Sequence, residues 1–134
     1  DDNLGEPGDY RVMKFAPTNE QGVVALFVGH LKELGFEHLE FIRAGFPDAC
    51  AIMKTERGCS RKYIEFEFTS SQFRQHINNP KHREVRCDYV VCWENDFKYC
   101  PVECIELKTR LAKILRNPPP PPRSRRPRPA GDAP

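Results

Sequence analysis

The sequence predicts an α/β domain, a central mixed β-sheet flanked by helices, and three observations carry that expectation. Apolar residues recur at helical spacing between positions 23 and 34. Residues 36–43, 48–54 and 61–68 have strand length and strand composition, with clear alternation in the last. The near-continuous apolar run at 87–93 suits a strand buried on both faces. A chain of 134 residues with 39% hydrophobic content makes one domain around one modest core.

Residues 1–16 open with acids, glycine and proline and read as a loosely ordered arm. Thr18 followed by Gln21 reads as a capping box for the first helix. Val23, Val24, Leu26, Phe27, Leu31 and Leu34 form its apolar stripe, and Gly35 closes it. The first strand (FEHLEFIR, 36–43) ends at the turn Ala44-Gly45-Phe46-Pro47, and the second (DACAIMK) covers 48–54. Residues 55–60 supply a hairpin loop with Gly58 at positive φ. The third strand (RKYIEFEF, 61–68) puts Tyr63, Glu65 and Glu67 on one face and Ile64, Phe66 and Phe68 on the other.

Thr69 or Ser70 then caps a short helix through about His76, broken by Asn78-Asn79-Pro80. A basic loop (KHREVR) leads into the buried strand at 87–93, with Trp93 read as packing at its end. A last strand at 102–107 precedes a basic helix at 108–116, which five consecutive prolines stop. The order is helix, three strands, helix, strand, strand, helix, tail. The domain plan is therefore an N-terminal arm (1–16), a folded domain (17–116) and a disordered Pro/Arg-rich basic tail (117–134).

Six cysteines raise the question of disulfides or zinc. No pair has C-x-x-C spacing, and an odd separation sets Cys87 and Cys92 on opposite faces of any one strand. Reduced, mostly buried thiols fit the spacing, with a zinc scaffold using His76 and His82 as the rival. Neither a signal peptide nor a membrane-length apolar run is visible, so the expectation is a cytoplasmic or nucleoid/nuclear protein, neither secreted nor in a membrane. The chain begins at Asp1 without methionine, so the N-terminus is trimmed or the chain is a piece of something larger. Residues 1–107 hold 13 basic and 18 acidic side chains, net −5, whereas 108–134 hold eight basic side chains against Asp132, net +7. An acidic body with a basic tail points to a polyanionic partner.

The chemistry concentrates on the third strand. Glu65 and Glu67 project from one face, where two like charges are costly unless a cation neutralises them or one stays protonated. A short hairpin brings Asp48, at the start of the second strand, beside them. Three carboxylates at one sheet edge suit Mg²⁺ or Mn²⁺. The bland alternative is an acidic strand face in solvent.

Pro47-Asp48, a hairpin, and then Glu65-Phe66-Glu67 resemble the motif of the PD-(D/E)xK nuclease superfamily, which includes restriction enzymes and Holliday-junction resolvases. The resemblance spans roughly residues 18–107 and implies an αβββαβ core with the restriction-endonuclease-like fold. It implies a divalent-metal-dependent nuclease hydrolysing DNA phosphodiesters, with Asp48 and Glu65 as metal ligands aided by the Phe66 carbonyl. Glu20, in the first turn of the first helix, matches an acid that many members bring to the same metal; the alternative is an ordinary favourable acid at a helix N-terminus. Glu67 departs from the family's lysine. It then acts as general base or ligand to a second ion, as in Glu-x-Glu members, or it marks a catalytically inactive module that binds DNA or a partner.

The segment 69–76 offers Ser70, Gln72, Arg74 and His76 to phosphates or base edges, or else forms a capped helix with Phe73 in the core. In the tail, Arg123, Arg125 and Arg126 form a phosphate-binding arm, with a bare solubilising tail as the alternative. Pro118, Pro121 and Arg123 also fit a P-x-x-P-x-R ligand for an SH3-type partner. Cutting both strands of a duplex implies a homodimer.

Overall fold

The structure, a computed structural model, describes residues 4–116. Five strands form one sheet in the order β1-β2-β3-β4-β5: β1 Phe36–Ile42, β2 Ala49–Thr55, β3 Gly58–Thr69, β4 Tyr89–Glu94 and β5 Glu103–Glu106. The first three strands are antiparallel, and β3, β4 and β5 run parallel. A parallel neighbour needs a crossover, and residues 70–88 supply it as a 3-10 turn (Ser70–Phe73), a single helical turn α2 (Arg74–Ile77) and a loop. The chain is thus α/β, with a mixed sheet and two longer helices, α1 (Glu20–Gly29) and α3 (Leu107–Arg116).

Both long helices pack on one face of the sheet, where Val23, Leu26, Phe27 and Leu111 meet Ile64, Phe66, Val91 and Trp93. The opposite face carries a smaller apolar cluster of Phe73, Val90 and Cys92, joined by Phe46, Cys87, Cys100 and Cys104. Alternation along β3 sends Ile64 and Phe66 into the main core and leaves Glu65 and Glu67 on the second face. That division positions the site.

Several local expectations change. Asn19, not Thr18, caps α1, because its Oδ1 accepts the Gly22 N–H at 2.9 Å. The helix stops at Gly29, and residues 30–35 continue as turns in which Leu34 N–H reaches His30 O at 3.0 Å and Phe36 N–H reaches Leu31 O at 3.1 Å. Gly35, at φ 99°, ends those turns rather than the helix. The hairpin between β2 and β3 is tighter than expected: Thr55 pairs with Gly58, whose φ of 127° lets the chain reverse over Glu56 and Arg57 alone.

The N-terminal arm is not loose over its described part. Gly8 N–H bonds Lys14 O and Ala16 N–H bonds Glu6 O, both at 2.7 Å, and Tyr10 meets Trp93 edge-on at 6.0 Å. All six thiols are free, and among the described residues no cysteine joins a group of convergent metal-ligating atoms. Cys87 and Cys92 pack in the second apolar cluster. Among the described residues no helix is long and apolar enough to cross a membrane.

Candidate metal centre

The site begins at the turn before β2, where Gly45 adopts φ 122° and Arg43 N–H donates to Asp48 O at 2.8 Å. Register pairs Ala49 with Ile64, which sets Asp48 opposite Glu65. Two bonds fix the placement. Asp48 N–H donates to Glu65 Oε1 at 3.1 Å, and Asp48 Oδ2 accepts the Phe66 N–H at 3.0 Å. Asp48 is therefore held at the end of the sheet by backbone contacts that its own hairpin creates.

Glu65 and Glu67 lie beside Val90 and Cys92 of β4, on the face covered by Phe73 and the turn that follows. They are only 3% and 6% exposed. Burial, then hydrogen bonding to and the charge of Asp48, pushes Glu65 up to about 9. Burial, then the charges of Glu20 and Asp48, pushes Glu67 up to about 7. Glu20 is itself raised, by burial and by Asp48, so the first turn of α1 reaches the same cluster.

His76 enters this cluster from α2. Its Nε2 lies 2.5 Å from Glu65 Oε2 and 3.4 Å from Glu67 Oε1, and the three ligand atoms lie within 4.8 Å of one another. Burial, then the charge of His82, lowers the His76 pKa, while burial raises that of Glu65, so both shifts work against a charged pair at this contact. On the other side of the ring, His76 Nδ1 lies 3.0 Å from His82 Nδ1. Phe46 stacks on both imidazoles with centroids 4.5 Å away. A cleft of about 400 Å³ opens over Glu20, Asp48, Glu65, Glu67, His76 and His82, and among the described residues neither lysine nor arginine lines it.

Glu20, Asp48, Glu65 and Glu67 thus come together as their spacing suggests. The tightest trio of ligand atoms, however, is Glu65, Glu67 and His76, with Asp48 buttressing Glu65. His76, read from sequence as a nucleic-acid contact, is turned toward the carboxylates. Its signal was a histidine placed on the first turns after the Glu-x-Glu strand; His82 entered only the rival zinc scaffold, and Phe46 gave none. Ser70 requires correction, because it is fully buried and cannot meet a polyanion. Its Oγ donates to Asn95 Oδ1 at 2.7 Å and accepts the N–H groups of Asp96 and Phe97 at 2.9 and 3.0 Å. Gln72 turns its Oε1 back onto the N–H groups of Phe68 and Thr69, both at 3.2 Å, as the returning half of a capping box. Arg74 is exposed and stacks over Phe97 at 4.4 Å. Arg123, Arg125 and Arg126 lie outside the described residues.

The donor set of carboxylates and one imidazole fits a divalent ion, because the structure holds buried acids there with no lysine or arginine among the described residues to balance them. The chain matches no protein-family model, no curated protein and no solved structure.

Proposed function

We propose that this chain is a divalent-metal-dependent nuclease that hydrolyses DNA phosphodiester bonds. The observation that carries the reading is the convergence of Asp48, Glu65, Glu67 and Glu20 in one cleft, two of them buried with no lysine or arginine lining it among the described residues. The Pro47-Asp48…Glu65-x-Glu67 pattern, and the order of elements around it, support a place among the PD-(D/E)xK nucleases with their restriction-endonuclease-like fold. Asp48, Glu65 and Glu67 would hold Mg²⁺ or Mn²⁺, with His76 beside them. A bound ion supplies a lowered pKa for an attacking water and neutralisation of phosphoryl charge.

The chain's own groups do the rest. Glu65 is oriented by the Asp48 N–H, and Asp48 by the Phe66 N–H, so both carboxylates meet the substrate already positioned. Glu67 takes the proton of the attacking water. The water oxygen bonds to phosphorus, the bond from phosphorus to the leaving sugar oxygen breaks, and the proton ends on that oxygen.

The second reading is a catalytically silent nuclease fold that binds DNA or a protein partner. One observation favours it: among the described residues neither lysine nor arginine lines the cleft to offset charge in the transition state. Incubation with supercoiled and branched DNA, with Mg²⁺, Mn²⁺ or EDTA, separates the two. Metal-dependent cleavage that disappears in Asp48→Ala and Glu65→Ala is the expected result. A chain that binds the same DNA and never cuts it overturns the nuclease reading.

A further inference from the structure

We propose that His76 ligates the site's divalent ion through Nε2, that His82 fixes its tautomer, and that this donor set selects a first-row transition ion over Mg²⁺. The inference rests on the metal site proposed above, but not on its catalysing anything. Geometry supplies the first step. Two donors each about 2.1 Å from one ion lie about 3.0 Å apart when adjacent and about 4.2 Å apart when opposite. His76 Nε2, Glu65 and Glu67 offer atoms within 4.8 Å of one another, so one ion reaches all three with small side-chain movements. Asp48 lies next to Glu65 and completes an oxygen-rich side.

The second step is the ring's other nitrogen. A ligating histidine needs its far N–H held, since that hydrogen bond fixes both tautomer and ring plane. His82 Nδ1, 3.0 Å from His76 Nδ1, is the group that meets it. With His82 as acceptor, the proton of His76 stays on Nδ1 and the Nε2 lone pair faces the carboxylates. Phe46 packs flat on both rings at 4.5 Å and keeps them in that relation. His82 touches no carboxylate of the cluster among the described contacts, so it is a positioning residue.

The third step is selectivity. Mg²⁺ prefers oxygen ligands and sheds water reluctantly, whereas imidazole nitrogen favours ions in the rising series from Mn²⁺ through Co²⁺. An all-carboxylate site would discriminate weakly between them. A site with one half-buried imidazole among its donors discriminates strongly.

The test uses the full chain and metal alone, without DNA. Calorimetric titration should give affinities rising from Mg²⁺ to Mn²⁺ to Co²⁺, with Co²⁺ at least about tenfold tighter than Mg²⁺. The proton spectrum of the Co²⁺ form should show a hyperfine-shifted, exchangeable imidazole N–H. His76→Gln should abolish that resonance and cut Co²⁺ affinity at least about tenfold while leaving Mg²⁺ affinity nearly unchanged. His82→Phe should weaken Co²⁺ binding about 10–100-fold and speed exchange of the N–H while the Co²⁺ absorption bands persist. Equal affinity for Mg²⁺ and Co²⁺, or no shifted imidazole proton in the unsubstituted chain, overturns the proposal whether or not the variants fold. DNA cleavage without a shifted imidazole proton would sink this inference and spare the nuclease reading. The shifted proton without cleavage would do the reverse.

Discussion

Glu65 and Glu67 sit two residues apart on one strand face, and the fold keeps both in a setting where ionisation is unfavourable. The consequence for stability has a definite sign. Both carboxyls are raised from an ordinary value of 4.5, to about 9 and about 7, so between those values the folded chain holds protons that the unfolded chain has released. Stability of the metal-free protein therefore falls as pH rises from about 4.5, with the Glu67 share complete above about 7. Glu67→Gln removes that share: urea unfolding in EDTA should show it more stable than the parent by on the order of 1–3 kcal/mol at pH 8.5, and close to the parent at pH 4.5. Asp48 separates structure from chemistry in another way. Asp48→Ala leaves the Phe66 N–H without its acceptor and should cost about 1–3 kcal/mol, whereas Asp48→Asn keeps an oxygen there. Both should lose cleavage, and only the first should unfold markedly earlier in urea.

Element boundaries answer to local hydrogen bonds, and two substitutions test them. Asn19→Ala should cost about 1 kcal/mol in chemical denaturation because it strips the cap from the first turn of α1. Thr18→Ala should be almost silent, since the exposed Thr18 side chain caps nothing. A comparable loss at both positions would contradict the Asn19 cap. At the start of the crossover, the Ser70 hydroxyl ties the 3-10 turn to residues 95–97, beside the bonds that Ser71 makes to Asp96. Ser70→Ala should speed hydrogen exchange at Asp96 and Phe97 by at least about tenfold while amides in β3 stay protected. Those contacts matter beyond their own loop. They anchor the turn that carries His76 over the carboxylates.

At the scale of the whole molecule, the proposed function asks an acidic cleft to meet a polyanion, and the net positive charge that would attract one lies beyond residue 107. Removing 117–134 takes away Arg123, Arg125, Arg126 and Arg128. The slope of log affinity for DNA against log salt should then become shallower by about 3 to 4, while turnover at saturating DNA is unchanged. An unaltered slope would show that this segment does not touch phosphates.

Helix α1, the hairpin of β2 and β3, the long β3 and the buried β4 were legible because each follows a short-range rule. Alternation fixes which face a strand residue takes, and a positive φ demands glycine at position 58. The same rules brought Asp48 near the acidic pair but not to its exact partner: a loop over 55–60 sets Asp48 opposite Glu67, and the tighter turn over Glu56 and Arg57 moves it to Glu65. The contact of Tyr10 with Trp93 was not legible, because an edge-on aromatic pair between the arm and a distant strand leaves no periodic trace. Nor was the place of His76, which depends on the path of a crossover that Ser70 secures from another loop.

What the sequence determined by itself is the acidic pair on β3 and its partner across the hairpin, for those positions are set by strand pleat and turn length. What only tertiary structure decided is that both glutamates are buried and face an imidazole. Burial comes from the packing of Phe73 and α2 over the second sheet face, and the ring's direction comes from His82 and Phe46, contacts with no fixed spacing along the chain.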